Sequence, residues 1–181
     1  MSPTLKELCI EITNVCPMAC LHCSTSSIQL GTESGGRNIP VEKIAGAVKD
    51  FKNLGGEILE ISGGEPLLHP HLFEIIELAV SHDLEVRLYT AGIMPSKEAS
   101  ELVSIDFKLA QDLKSIGVSR VIFSLQGAVS QTHDKIVGFS GAHSLALKSI
   151  RNIKEAGLWT GIHFVPMALN FHEIEAMMDL G

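Results

Sequence analysis

The chain has 181 residues, of which 45% are hydrophobic and 5% aromatic, and its formal net charge is −7. This length suits one hydrophobic core and falls short of two ordinary domains. No run approaches the roughly 18 apolar residues of a membrane span, and the scattered lysines and arginines form no basic stripe with interleaved aromatics, so neither a membrane protein nor a dedicated nucleic-acid surface is predicted.

Short apolar runs alternate with longer amphipathic stretches along the chain. The apolar runs predict five strands, at 8–12, 57–61, 85–90, 120–125 and 161–166. The amphipathic stretches predict helices at 40–56, 69–83, 97–117 (one or two helices), 141–157 and 170–181. This alternation favours an α/β fold with a parallel sheet and right-handed crossovers, which is either an open sheet or the wall of a barrel.

Two further features concern the organisation of the chain. Segment 24–38 is rich in Ser, Thr and Gly and is predicted to be a mobile loop. The chain stops after the predicted helix 170–181, where the repeat pattern calls for a sixth strand. We therefore expect one domain over residues 1–181, with five to six parallel strands and truncated before the last one.

Three of the four cysteines lie close together, in "NVCPMACLHCS" at 14–24. Cys16, Cys20 and Cys23 have the spacing C-x3-C-x2-C and follow the first predicted strand directly. Active sites collect at the C-terminal ends of parallel strands, so this group is a candidate site. The N-terminus has no basic-then-apolar leader, which predicts a reducing cytoplasm, where clustered cysteines bind metal or do redox work.

The spacing of the cysteines leaves three chemistries open. A thiol–disulfide oxidoreductase would use the C-x-x-C of Cys20 and Cys23 and would leave Cys16 without a role. An iron–sulfur cluster would use all three thiolates and leave one iron without a protein ligand, an open position of the kind that catalytic metal sites keep. A structural zinc site would need a fourth ligand, for which the chain offers His22, His69, His71 and Cys9.

A second motif, "ISGGEPLLHP" at 61–70, follows the second predicted strand. Together with the cysteine spacing it resembles the radical S-adenosylmethionine (SAM) superfamily. In that family the three cysteines hold a [4Fe-4S] cluster, and the remaining iron binds the amino and carboxylate groups of SAM. The resemblance implies that Cys16, Cys20 and Cys23 are the metal ligands within a cluster-binding loop at 14–38, and that the fold is a partial (β/α) TIM-like barrel.

The resemblance also implies SAM contacts in several segments. The Gly-Gly-Glu-Pro motif receives the SAM amine, and its glycines permit close backbone approach. "LYTAG" (88–92) resembles the family's third strand end, "FSLQG" (123–127) the fourth, where a serine contacts the SAM carboxylate, and "GIHFVPMALN" (161–170) the fifth, which passes the adenine. The implied cofactor-binding residues are His22, Gly63, Gly64, Glu65, Pro66, Thr90, Ser124 and Val165.

The sequence departs from the family at Val137, where many members have an arginine that pairs with the SAM carboxylate. Lys135 and Arg151 are candidates to replace it. The departure favours, as an alternative function, a member that binds a metal or an iron–sulfur cluster without catalysis. Cys9 matches no ligand position and is expected to be a small buried residue, and His163 is expected in the core.

The family's chemistry defines the expected activity. A reduced cluster passes one electron to SAM, which breaks into methionine and a 5′-deoxyadenosyl radical, and the radical removes hydrogen from a substrate. The resemblance implies an electron donor such as flavodoxin or ferredoxin. The segments "TAG" and "FSLQG" look like those of members that modify peptides or small molecules, and no residue is assigned to act on the substrate.

Overall fold

The computed structural model of the chain describes residues 5–25, 27–29, 36–96, 98 and 101–180. The strands are β1 (Glu7–Thr13), β2 (Val15–Cys16), β3 (Ile28–Gln29), β4 (Ile58–Gly63), β5 (Glu85–Thr90), β6 (Ile93–Pro95), β7 (Leu102–Ser104), β8 (Val118–Ser124) and β9 (Trp159–His163). The α-helices are α1 (Val41–Asn53), α2 (Leu72–Ser81), α3 (Phe107–Ser115), α4 (Ser130–Val137), α5 (Ala142–Glu155) and α6 (Ile174–Met178). Short 3-10 turns lie at Pro66–Leu68 and Phe171–Glu173.

The main sheet has five strands in the order β1-β4-β5-β8-β9, and every neighbouring pair is parallel. Chain order and sheet order agree, and at least one helix lies in each connection. Parallel neighbours joined in sequence by helices build the wall of a (β/α) barrel. In the described part of the chain this wall stays open between β1 and β9, so the predicted α/β class and partial TIM-like barrel are confirmed.

The two faces of the sheet differ sharply in chemistry. The outer face is apolar and packs under the helices; its fully buried side chains include Leu59, Ile61, Val86, Leu88, Val121 and Phe123. The inner face, which corresponds to the lumen of the barrel, carries polar side chains. These include Cys9, Glu11, Glu60, Ser62, Tyr89, Ser124 and His163. Alternation along each strand therefore separates a stabilising face from a face available for chemistry.

Helix α1 shows how the outer face is stabilised. Ile44, Val48 and Phe51 lie on one side of the helix and are buried against the sheet. Each such side chain contributes about 1.5–3 kcal/mol when it is fully buried. Pro40 precedes the first turn, and Gly55 follows the last one at a φ of 85°. The predicted boundaries of this helix therefore agree with the structure to within a few residues.

The prediction of helix over 97–117 is wrong in its first half. The antiparallel hairpin of β6 and β7 occupies Ile93–Pro95 and Leu102–Ser104, and helix begins only at Phe107. Asp106 starts the helix, because its side chain accepts a hydrogen bond from the Leu109 N–H at 2.7 Å. Residues 97, 99 and 100 lie outside the described residues.

Three other segments depart from the expectations. Within the predicted loop 24–38, β3 pairs in parallel with β2, while residues 26 and 30–35 lie outside the described residues. Helix α4 was not predicted. At the C-terminus, helical structure covers only α6 and the turn before it, and residue 181 lies outside the described residues. Among the described helices, none is long and apolar enough to cross a membrane.

Candidate functional site

A cavity of about 510 Å³ lies at the C-terminal ends of the five parallel strands. The structure brings nearly all of the predicted site residues to its wall; Glu65 and Pro66 are the two that do not line it. The predicted residues in the wall are Cys16, Cys20, His22, Cys23, Gly63, Gly64, Thr90, Ser124 and Val165. Register explains this convergence, because Thr13 at the end of β1 lies beside Gly63 at the end of β4.

The segment that carries the cysteines is docked on the end of α4. The Ala19 N–H donates to the Val137 carbonyl at 3.0 Å, and the Leu21 N–H donates to the Ile136 carbonyl at 2.8 Å. Gly138 ends α4 in the left-handed region, and a side chain there would approach the Ala19 carbonyl to 3.0 Å. A helix that the sequence did not reveal therefore fixes the backbone on both sides of Cys20.

The three thiols have different electrostatic environments. Burial raises the pKa of Cys16 to about 12 and that of Cys20 to about 11. Burial also acts to raise the pKa of Cys23, but hydrogen bonds from Ser27 and Thr25 outweigh it and leave the pKa at about 7. The Ser27 N–H donates to Cys23 Sγ at 3.4 Å. Buried thiols of this kind ionise readily only beside a positive charge, which iron supplies when it binds thiolate.

The described side chains do not form a closed site for a single metal ion. No group of three Cys, His, Asp or Glu side chains in the described ranges converges as ligands of one ion. His69, a candidate zinc ligand, is engaged elsewhere, because its Nε2 lies 3.1 Å from the Ile39 carbonyl and its Nδ1 accepts from the His71 N–H at 3.1 Å. In a four-iron cluster each cysteine binds its own iron, so three thiols around one cavity suit a cluster better than zinc.

The two glycines of the Gly-Gly-Glu-Pro turn pack tightly on the chain just before Cys16. The Gly64 N–H donates to the Thr13 carbonyl at 2.7 Å. A Cβ atom at Gly64 would lie 2.3 Å from the Val15 carbonyl oxygen, and one at Gly63 would lie 2.3 Å from the Thr13 carbonyl oxygen. Both positions therefore exclude any side chain, which keeps the turn against the cysteine segment and leaves bare backbone at the cavity wall.

Glu65 is fully buried and organises the strand ends around it. Its Oε1 accepts from Thr90 Oγ1 at 2.7 Å and from the Leu67 N–H at 3.2 Å, and its Oε2 accepts from the Ala91 N–H at 2.9 Å. Pro66 begins the 3-10 turn that follows. The carboxylate thus ties the end of β4 to the end of β5, and the hydroxyl of Thr90 is engaged in the same contact.

The buried carboxyl of Glu65 leads to a prediction about stability. Burial raises its pKa to about 7 from 4.5, and the three donated hydrogen bonds only partly oppose this. Between these two values the folded protein holds a proton that the unfolded chain has released. Stability conferred by the protonated carboxyl is therefore present below pH 4.5 and is lost as pH rises through about 7.

As pH rises across this window, we expect the free energy of unfolding of the wild type to fall by about 3 kcal/mol relative to that of Glu65→Gln, because glutamine does not titrate there. The check is urea unfolding of both proteins at about pH 5 and about pH 8, compared as a difference so that all other titrating groups cancel. If the free energies of unfolding of the wild type and the variant differ by the same amount at both pH values, the raised pKa of Glu65 is contradicted.

Two further predicted cofactor contacts, His22 and Val165, also line the cavity. The ring of His22 is half-buried, and its Nδ1 is buried without a hydrogen-bond partner among the described residues. Such an atom is one that a ligand would satisfy. The Val165 N–H already donates to Gln126 Oε1 at 2.9 Å, and its carbonyl accepts from Asn170 Nδ2 at 3.0 Å. A contact at Val165 is therefore left to its side chain and the second lone pair of its carbonyl.

The position of the missing arginine is part of the packed interior. Val137 is 3% exposed and lies in an apolar cluster with Met18 and Leu125. Lys135 and Arg151 are exposed on α4 and α5, and neither lines the cavity, so the expectation that one of them replaces the arginine is not supported. The described wall of the cavity contains no lysine or arginine.

Two expectations about burial are wrong. Cys9 is exposed rather than buried, and His163 is exposed rather than in the core. Both lie on the inner face of the sheet, where His163 meets the ring of Tyr89 edge-on at 6.0 Å between centroids. A period of two along a strand shows that one face differs from the other, but it does not show whether the polar face meets solvent or a lumen.

Comparison with known proteins places this arrangement in a family. The family model "Radical SAM superfamily" matches residues 10–181. The chain is 28% identical over 170 residues to Fe-coproporphyrin III synthase of Methanosarcina barkeri, covering 94% of this chain and 39% of that protein. It is 28% identical over 172 residues to PqqA peptide cyclase of Granulibacter bethesdensis, covering 95% of this chain and 42% of that protein.

A solved structure shares the fold. Streptococcus suis SuiB bound to its precursor peptide SuiA superposes with a TM-score of 0.74 at 17% identity, over 96% of this chain and 36% of that one. The chain spans less than half the length of these relatives. A [4Fe-4S] cluster and SAM are the cofactors of the matched family. The family model covers nearly the whole chain, and the chain belongs to the radical SAM superfamily.

Proposed function

We propose that this chain is a radical SAM core that binds a [4Fe-4S] cluster through Cys16, Cys20 and Cys23 and cleaves SAM reductively. The supporting observation is that the three thiols and the Gly63–Gly64 turn share one cavity at the strand ends. Burial raises the pKa values of Cys16 and of the partly buried Cys20, and the described cavity wall has no lysine or arginine, so these two thiols gain most from bound iron. We assign residues 1–181 to a single core domain with its cluster-binding loop at 14–38.

When bound, the cluster and SAM supply one-electron cleavage and a 5′-deoxyadenosyl radical that takes hydrogen from a substrate. The side chains hold and orient these groups. The bare backbone of Gly63 and Gly64 leaves room for the SAM amine, while Glu65 holds that turn against β5 from behind. Ser124 serves the SAM carboxylate, and His22 and Val165 flank the adenine.

The substrate is proposed to bind on the inner face of the sheet, beside the SAM site. Glu11, Glu60, Tyr89 and His163 line the cavity there. Tyr89 Oη donates to Glu60 Oε1 at 3.3 Å, which makes part of this wall an ordered polar surface. PqqA peptide cyclase and peptide-bound SuiB favour a peptide, and Fe-coproporphyrin III synthase keeps small molecules open. Flavodoxin or ferredoxin is the proposed electron donor, in a reducing cytoplasm.

The test is SAM cleavage by the anaerobically reconstituted protein. With a strong reductant, we expect methionine and 5′-deoxyadenosine in equal amounts, and we expect Cys16→Ala to abolish both products because it removes a ligand. A protein that carries the cluster and binds SAM without cleaving it would instead be a non-catalytic iron–sulfur module. Dithiol–disulfide exchange that survives Cys16→Ala would identify a thiol–disulfide oxidoreductase.

A further inference from the structure

Gln126 is a fully buried polar residue just beyond the end of β8. Its amide nitrogen Nε2 donates to Ser124 Oγ at 2.8 Å and to the His163 carbonyl at 3.3 Å. Its amide oxygen Oε1 accepts from the Val165 N–H at 2.9 Å. The side chain therefore links the end of β8 to the end of β9, directly behind two of the predicted SAM contacts.

The orientation of this amide is fixed by its backbone partners. The Val165 N–H can only donate and the His163 carbonyl can only accept. A flipped amide would therefore place Nε2 against the Val165 N–H, donor to donor, and Oε1 against the His163 carbonyl, acceptor to acceptor. The main chain of Gln126 is held as firmly. Its N–H donates to His133 Nδ1 at 2.9 Å, and its carbonyl accepts from Asn170 Nδ2 at 3.0 Å. Every polar group of the residue is thus satisfied inside the protein.

This orientation determines what the Ser124 hydroxyl can do. Because the amide nitrogen Nε2 can only donate, Ser124 Oγ is the acceptor in this contact. The hydroxyl proton of Ser124 is therefore not used in it. Among the described residues, Ser124 Oγ takes part in this one hydrogen bond and donates none. Ser124 lines the cavity. Its O–H is therefore free to donate to a ligand there, and it is held in place to do so.

The chemistry of the wall indicates which ligand group this donor meets. The described residues of the wall include no lysine or arginine, and Val137 is buried in an apolar cluster beside Met18. A carboxylate entering this wall depends on uncharged donors. We propose that Gln126 is a positioning residue that holds Ser124 as a hydrogen-bond donor to the carboxylate of SAM. This inference rests on the proposed function and deepens it.

The test uses the reconstituted holoprotein and two probes, SAM and decarboxylated SAM, which lacks only the carboxylate. Gln126→Glu replaces the Nε2 donor by an acceptor of the same shape, so Ser124 turns its proton inward. We expect SAM to bind at least about tenfold more weakly, the effect of losing one hydrogen bond to a charged group. Decarboxylated SAM is expected to bind as it does to the wild type.

Gln126→Met is a second variant, because a buried glutamate can prevent folding. It keeps the length of the side chain and removes the donor without adding charge, and we expect about two- to tenfold weaker binding of SAM alone. Gln131→Glu, at an exposed position on α4, is the matched control and is expected to bind both probes normally. Ser124→Ala should abolish the effect of either Gln126 variant in a double-mutant cycle.

The outcomes separate this inference from the proposed function. Selective loss of SAM affinity supports the role of Gln126. Equal weakening of both probes indicates only a structural role and overturns the inference, as does unchanged binding of SAM to Gln126→Met. A wild-type holoprotein with a complete cluster and no affinity for SAM overturns the proposed function, and the inference with it.

Discussion

Replacing Cys20 by alanine is expected to remove most of the iron and sulfide that the anaerobically reconstituted protein binds. Partners that merely orient metal ligands are worth about 10- to 100-fold in affinity, so the loss of a ligand itself should lower the affinity for the cluster by at least about tenfold. The substitution is mild for the fold, because Cys20 is only partly buried. Iron and sulfide analysis with the visible spectrum of the cluster is the measurement.

Cys9→Ala is the matched control for this prediction. Cys9 lines the same cavity, but it lies on β1 and matches no ligand position of the family. Cluster content is therefore expected to stay at the wild-type level. If Cys20→Ala assembles the cluster as well as the wild type, the ligand assignment is wrong. If Cys9→Ala loses as much iron as Cys20→Ala, Cys9 takes part in cluster binding after all.

The convergence of the candidate site residues on one cavity was predictable because its main signals are local. The cysteine spacing and the Gly-Gly-Glu-Pro turn each follow a strand, and parallel strands bring their C-terminal ends to one edge. Once Thr13 pairs in register beside Gly63, the two motifs have to meet. The apolar outer face can also be predicted from the sequence, because Leu59 and Ile61 alternate with polar residues along β4.

The residues that brace the site carry no local signal. Gln126 lies 39 positions from Val165, and Ala91 lies 26 positions from Glu65, so their contacts depend on the assembled barrel. Helix α4 was missed for a related reason. Its segment is short and mostly polar, and the burial of Val137 beside Cys16 and Met18 supplies a stabilisation that periodicity does not reveal.

The predicted burial of Cys9 and His163 is wrong because both lie on the polar face of the strands. Cys9 and His163 alternate with apolar neighbours just as residues on a solvated sheet face do, and only the curvature of the sheet turns them toward the cavity. The same curvature brings Tyr89 to His163 across β8. Residues that contact substrate in an open barrel are therefore the hardest to identify, because their pattern equals that of an ordinary surface.

Gly64→Ala is expected to be among the most damaging small substitutions in the chain. Its Cβ would lie 2.3 Å from the Val15 carbonyl oxygen and 2.7 Å from the Val15 carbonyl carbon, and both are backbone atoms that cannot rotate away. Overpacking of this kind destabilises by about 1–3 kcal/mol or more, which is a large share of a typical free energy of unfolding. Urea unfolding of the apoprotein measures the loss.

Gly46→Ala makes the same chemical change with the opposite expected sign. Gly46 lies within α1, and apart from the adjacent backbone of the helix itself no heavy atom of the described residues is within 4 Å of the Cβ that alanine would add. Alanine should therefore stabilise the helix by about 0.5–1 kcal/mol. The relief of strain at Gly64 would move the chain that leads into Cys16, so Gly64→Ala should also bind less iron while Gly46→Ala does not. A Gly64→Ala protein with wild-type unfolding and iron content would show that the close approach of this turn is dispensable.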